Sequence, residues 1–272
     1  HRLLYAVAGT GTNAGPMINT ELATLMTLLQ QFLWPFIRIG AFLLVSPLYS
    51  IESFTVRLRV ALAMILTLFT LDNVMVPQSM PFDASSVGLI LGEILVGALL
   101  GFSLQVVNSA LAIGGAAISN AMGLSFANIV DPALGNIPVV SQFFVIFATL
   151  IFLGLDGHLQ LIRLLIDSFT LLPIGELPDF GRWYDVLVVW LPEMFVFGLS
   201  LALPVAISLL LMNLGLGLVT RAAPAMNIFS IGFPALLLCG LVFLFLSLPG
   251  LAAGIEIMWQ RSLDTAGTLL GR

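Results

Sequence analysis

The 272-residue chain has no lysine, one cysteine, two histidines and charged side chains at only 8% of its positions. All nine basic residues are arginine, and fourteen acidic residues bring the net charge to −5 and the isoelectric point to about 4.8. That balance excludes a nucleic-acid partner, which needs a basic patch. A lone cysteine, Cys239, excludes a disulfide framework or thiolate metal site within one chain. Lying in an apolar run, it reads as a small buried hydrophobe. Two histidines, one of them His1, cannot build a metal centre of the usual kind. No phosphate-binding G-x-x-x-x-G-K-[ST], G-x-G-x-x-G, H-E-x-x-H or G-x-S-x-G pattern occurs. The chain is therefore expected to be no enzyme, to hold no cofactor and to take the energy for any transport from elsewhere.

What is abundant is apolar: 60% of residues are hydrophobic and the mean hydropathy is +1.12. A soluble domain carries about 25% charged residues, so an all-α integral membrane protein is expected. Residues 1–16, ending in GTGTNAGP, read as a linker or extension outside the fold, with Met17 resembling a natural start. Apolar helices are predicted over 22–51, broken by Pro35 and Pro47, over 58–71, 87–113, 139–155 and 159–172, and over 186–219 and 228–253. A separate polar helix is predicted over 256–272. Asp156-Gly157-His158 marks a turn, with Asp156 and Asp167 at helix ends. The proline-, glycine- and charge-rich residues 173–185 are the clearest internal boundary. Beyond it, Thr220 to Pro224 joins a helical hairpin, its turn marked by Arg221, Pro224 and Asn227.

Several segments have the wrong length for simple spans, and arginine does not sort cleanly to one side. Two explanations stand side by side: apolar surface that faces other protein subunits, or an ordinary six-span protein. Arg38, Glu93 and Arg163 lie within apolar runs. Each costs about 2.5–3.5 kcal/mol on insertion scales, so each needs a partner or a wet face: subunit contacts, pore contacts or a structural pairing. Gly88, Gly92, Gly97, Gly101, Gly215 and Gly217 are predicted to allow close helix packing.

The most informative stretch runs from Gly114 to Pro138, GGAAISNAMGLSFANIVDPALGNIP. It reads as a polar-dotted loop between apolar helices. Irregular backbone survives at membrane depth only inside protein or beside a wet path, so a lining or plug for a conduit is expected. Gly114, Gly115, Met122, Gly123, Leu124, Ser125, Phe126, Ala127, Asn128, Ile129, Asp131 and Pro132 are its candidate residues. Leu124, Phe126 and Ile129 can exclude water, the glycines supply hinge freedom, and Met122 is suited to sealing a changing aperture.

Three blocks carry a resemblance: GFSLQVVNSALAIGGAAISNAMGLSFANIVDP, GHLQLIRLLIDSFTLLPIG and LALPVAISLLLMNLGLGLVTRAAPAMNIFSIGFP. In order, and from Met17 to about Arg261, they resemble the FliR family of type III export-gate proteins, whose flagellar branch has injectisome counterparts. The resemblance implies a FliP-like part (17–180) with a plug at 114–138, followed by a FliQ-like hairpin and C-terminal helix (181–272). It implies one copy in a helical ring with FliP-like and FliQ-like subunits, in the bacterial inner membrane and possibly raised towards the periplasm. It further implies a FlhB-like protein at the cytoplasmic entrance, a FlhA-like protein beneath, and unfolded flagellar proteins as cargo. Two competing functions remain open from the residues alone. One is a secondary transporter of a small molecule or ion using Glu93 at a midplane site; the other, with little catalytic inventory behind it, is an intramembrane enzyme.

Overall fold

The computed structural model describes residues 14–47, 55–71, 74, 84–124, 138–176, 178–222 and 228–272. Among these the chain is all-helical: α1 (Ala14–Val45), α2 (Val56–Thr70), α3 (Ala84–Ala121), α4 (Val139–Gly154), α5 (Gly157–Leu171), α6 (Phe180–Ala222) and α7 (Ile228–Leu269). Four helices, α1, α3, α6 and α7, are long and apolar enough to cross a membrane. The bent α4–α5 pair meets the same test when taken together. The all-helical membrane class expected from composition is thus observed.

The elements follow from their sequence with three corrections. First, α1 opens at Ala14, inside the stretch read as a linker. Proline in a first turn lacks only an N–H that would have no helical partner, so Pro16 does not block it. Second, α3 does not stop at Ile113 but continues through Gly114 and Gly115 to Ala121. Third, no separate polar helix begins at Glu256, because α7 runs unbroken across Pro249 to Leu269. At about 1.5 Å per residue, the 43-residue α6 is about 65 Å long, twice the roughly 30 Å hydrocarbon thickness.

α3 is the central element, packed against α1, α4, α6 and α7. On α1, Trp34, Arg38 and Phe42 recur at four-residue spacing, as do Ile39 and Leu43, and all are buried. On α3 the facing row is Val96, Leu100 and Leu104. Four-spaced rows on both helices interlock, and glycine lets the backbones touch. A methyl group at Gly101 would lie 2.9 Å from both Phe42 O and Ser46 N. Gly97 is similarly closed off by Arg38 O and Ala41.

α4 and α5 meet at 72°. The corner is made by Asp156, in the left-handed region at φ 54°, which makes no side-chain cap bond. Phe152, just before it, packs its ring 4.4 Å from that of Trp259 on α7. Trp259 also donates Nε1–H to Ala148 O at 3.3 Å. Tryptophan ties the hairpin to the rest in the same way elsewhere. Trp190 donates to Ser103 O at 3.0 Å, where the Ser262 hydroxyl also donates at 3.0 Å, so one carbonyl of α3 joins α6 and α7. Within the hairpin itself, Trp183 of α6 donates to Leu269 O of α7 at 2.7 Å. Buried residues before and after the boundary at 173–185 therefore form one core. Cys239, expected to be buried, is only half-buried on α7.

Candidate functional site

The end of α3 lies within the stretch expected to form the plug, and its last turn closes on itself. Leu124 N–H donates to Ser119 O and Gly123 N–H to Asn120 O, both at 3.0 Å, while Met122 N–H donates to Ile118 O at 2.9 Å. Gly123 has φ 78°. This pair of bonds around a left-handed glycine is the Schellman ending, which satisfies the last carbonyls of the helix and turns the chain away. Gly123 thus supplies a fixed left-handed corner, not merely freedom. The same ending recurs at the close of α7, where Gly271 has φ 89°, Arg272 N–H donates to Gly267 O and Gly271 N–H to Thr268 O.

The predicted plug residues divide into three groups. Gly114 and Gly115 are helical, where a loop was expected, and are points of close contact with neighbouring helices. A methyl at Gly114 would lie 2.7 Å from Gly198 O, and one at Gly198 would lie 2.6 Å from Ala110 O, so α3 and α6 meet glycine to glycine. Gly115 is pressed against the Ser141 backbone of α4, whose hydroxyl donates to Ala112 O at 2.8 Å. Met122, Gly123 and Leu124 form the corner. Met122 is 1% exposed and packs against Gly240 of α7. Ser125, Phe126, Ala127, Asn128, Ile129, Asp131 and Pro132 lie outside the described residues, as do Pro224 and Asn227 of the hairpin turn. Arg221 is exposed in the last turn of α6, where a cation complements the negative end of the helix dipole.

Of the subunit contacts, pore contacts or structural pairing expected for Arg38 and Glu93, the structure shows the last: they bind each other inside the chain. Arg38 is 0% and Glu93 2% exposed. Nε donates to Glu93 Oε2 at 2.6 Å and Nη2 to Oε1 at 3.1 Å, a bidentate fork. Nη1 donates to Ser168 O at 2.8 Å and Leu172 O at 3.0 Å, carbonyls at the end of α5, with the Ser168 hydroxyl at 3.3 Å. Phe169 lies 4.5 Å from the guanidinium, ring centroid to carbon. Arg38 therefore closes the charge of Glu93 and caps α5 at once, joining α1, α3 and α5. Neither group is left to bind an ion.

Arg163 is not inside the apolar packing. It is exposed, and lines a cavity of about 560 Å³ with Gln160, Asp167, Asp264, Thr268 and Arg272. Asp167 and Arg272 approach to 3.9 Å across it. Among the glycines expected to serve packing, Gly97 and Gly101 do so. Gly88, Gly215 and Gly217 have nothing within 4 Å of where a methyl would stand. Gly198 and Gly240, which do serve packing, are not distinguished by spacing, because a helical glycine looks the same whichever face it occupies. No group of three or more histidine, cysteine, aspartate or glutamate residues able to hold a metal occurs among the described residues.

A family model described as bacterial export proteins, family 1, matches residues 29–262. Among curated relatives, a flagellar biosynthetic protein FliR of Pectobacterium carotovorum is 36% identical over 241 residues, covering 88% of this chain and 92% of the relative. The Escherichia coli K12 protein of that name is 37% identical over 233 residues, 85% and 89% of the two chains. The Bacillus subtilis protein of that name is 28% identical over 251 residues, 91% and 97%.

Proposed function

The chain belongs to the bacterial export proteins, family 1, and on that premise we propose that it is a non-enzymatic subunit of the flagellar protein-export gate. In this proposal the segment after α3 stops the closed conduit through which unfolded flagellar proteins leave the cell. The observation that carries it is the locked corner at Met122–Leu124. The chain leaves α3 through a left-handed glycine with the Ser119 and Asn120 carbonyls satisfied, so the helix ends there and the next segment takes a new direction. Irregular backbone at membrane depth is tolerated only within protein or beside water, which is why this reading gives the segment a conduit. The relatives' name, flagellar biosynthetic protein, supplies the machinery.

The partners come from the same premise. FliP-like and FliQ-like subunits complete a ring in the inner membrane, with a FlhB-like protein at its cytoplasmic mouth and a FlhA-like protein beneath. In this reading the apolar faces of the hairpin left uncovered within the chain are where those neighbours pack. A transporter with Glu93 at its site has nothing in its favour, since Arg38 already occupies that carboxylate. The test is deletion of residues 123–129 in a flagellated cell. The assembled complex should remain, and ion leak across the resting membrane should rise several-fold. An unchanged leak with the complex intact would refute the plug.

A further inference from the structure

Two helix ends converge on the cavity of about 560 Å³ beside Arg163, and each contributes one arginine and one aspartate. α5 supplies Arg163 and Asp167, one helical turn apart. α7 supplies Asp264 and, just beyond its last turn, Arg272. Leu164 and Leu263 give the cavity an apolar lining between the charges. All four charged side chains are exposed, and their charges sum to zero. They do not cancel in pairs, however. Asp167 and Arg272 stand 3.9 Å apart, too far for a hydrogen bond. Among the described residues neither Arg163 nor Asp264 makes an ion pair.

The backbone that carries these groups is held in place. Arg38 binds the carbonyls of Ser168 and Leu172 at the end of α5. At the end of α7, Arg272 N–H donates to Gly267 O around the left-handed Gly271, and Arg182 of α6 lies against Gly271. Arg272 therefore leaves a fixed turn, which lowers the ordering cost of binding. The surroundings are amphipathic. Residues 194–220 of α6 and 228–255 of α7 carry no charge, and the cavity lies on the charged side of that limit, where a headgroup would lie and an acyl chain would not. Along α5 the exposed row reads Leu159, Arg163, Asp167 and Leu171 at four-residue spacing, so apolar side chains bracket the charges and offer acyl chains a surface.

We propose that this cavity binds a phospholipid headgroup carrying a phosphate and a primary ammonium together, as phosphatidylethanolamine does. A guanidinium presents paired N–H donors that match phosphate oxygens. The two carboxylates accept hydrogen bonds from the ammonium, which has three N–H donors. The headgroup and the cavity are both neutral overall. A quaternary ammonium has no N–H to donate, and a headgroup with phosphate alone sets its negative charge beside two carboxylates with nothing to offer them.

The purified full chain in detergent is stripped of lipid and offered, one at a time, phosphatidylethanolamine, phosphatidylcholine and phosphatidylglycerol with the same acyl chains. Lipid retained per chain is read by native mass spectrometry. Wild type is expected to retain the ethanolamine lipid several-fold more than either of the others. Arg163→Gln with Arg272→Gln is expected to abolish that excess. Asp167→Asn with Asp264→Asn is expected to lower the ethanolamine lipid to the level of the choline lipid and to raise the glycerol lipid, since two positive charges then stand unopposed. Equal retention of the three lipids by wild type would overturn the proposal, as would an ethanolamine preference that both double variants keep. Glycerophosphoethanolamine, the same headgroup without acyl chains, is expected to displace the lipid only in large excess. Displacement at equal concentration would mean that the site takes a soluble phosphate ester and that the lipid assignment is wrong. Should a double variant unfold early, the single changes Arg163→Gln and Asp264→Asn, which break no ion pair, replace it, with a smaller loss of preference expected and no loss counting against the site.

Discussion

α3 and α7 are of nearly equal apolar character, with hydropathies of 2.2 and 2.4 over their candidate spans. Yet 44% of the apolar stretch of α3 is buried within the chain, against 17% for α7. Hydrophobicity does not distinguish them. What does is the placing of small and hydrogen-bonding groups. α3 offers Gly97 and Gly101 to α1, Gly114 to α6, Gly115 to α4 and the Ser103 carbonyl to Trp190 and Ser262. α7 offers Gly240 to Met122 and its C-terminal third to α3 and α6, while Gly250 has nothing within 4 Å. Between membrane helices, lipid is as apolar as leucine, so close approach and hydrogen bonding decide which faces meet. α3 has made its contacts inside the chain, and most of the hairpin has not.

The comparison breaks most violently at Glu93. Glu93→Ala strands the Arg38 guanidinium, 0% exposed, without a counter-charge and loosens the cap on α5. Removing one partner of a buried pair costs about 3–5 kcal/mol. Denaturant unfolding of the detergent-solubilised chain should register that loss. Replacing Arg38 and Glu93 together by leucine should recover much of it, since a buried pair and an apolar pair of similar volume are close in stability. A Glu93→Ala chain as stable as wild type would mean that α3 is not organised around this pair.

Next in size is the crossing of α1 and α3. Gly101→Leu drives a side chain into Phe42 O and Ser46 N, which are backbone atoms unable to swing aside. Overpacking costs typically about 1–3 kcal/mol and occasionally more, and a backbone obstacle puts this site at or above the upper figure. The same unfolding measurement applies, and an unshifted midpoint would contradict the close crossing.

Much of this architecture is legible in the sequence, and the rest is hidden for identifiable reasons. Hydropathy locates the apolar segments, and the low charge content locates the membrane. Arg38 and Glu93 are recognisable as groups in need of partners. Their being each other's partner is not, because 55 positions separate them and spacing says nothing across helices. Arg163 looks equally buried in the sequence but lies on an exposed face of α5, since one charge in an apolar run does not reveal which side it takes. Gly114 and Gly115 read as helix breakers, which they are in water, where glycine exposes backbone. Against Gly198 and Ser141 they are instead what lets the helix continue. Pro249 and the polar residues after it suggest a new helix, but α7 is held through that region by Trp259 and Ser262. Met122-Gly123 can be read as a helix ending from the glycine alone, whereas the partner at Gly240, more than a hundred residues on, leaves no local mark.

The smallest effect sharpens the comparison furthest. Gly215 lies on α6 beside exposed Leu211, Leu214 and Leu218, with nothing within 4 Å. Gly215→Leu therefore meets no obstacle within the chain, and replacing glycine in a helix interior by a good helix former gains up to about 1 kcal/mol. The solubilised chain should unfold no earlier than wild type, in contrast to the same substitution at Gly101. If Gly215 is a contact point for a neighbouring subunit, as Gly101 is for α1, the cost will emerge only on assembly: less of the complex recovered in detergent and less flagellar protein exported, at undiminished chain stability. If the face meets lipid, both will be unchanged, because a leucine is as well accommodated by acyl chains as its neighbours are. A loss of stability in the isolated chain would place Gly215 in an internal contact and remove the distinction between the two helices' glycines. The same residue change at two glycines thus separates packing within the chain from packing between chains, which neither hydropathy nor burial in one subunit can do.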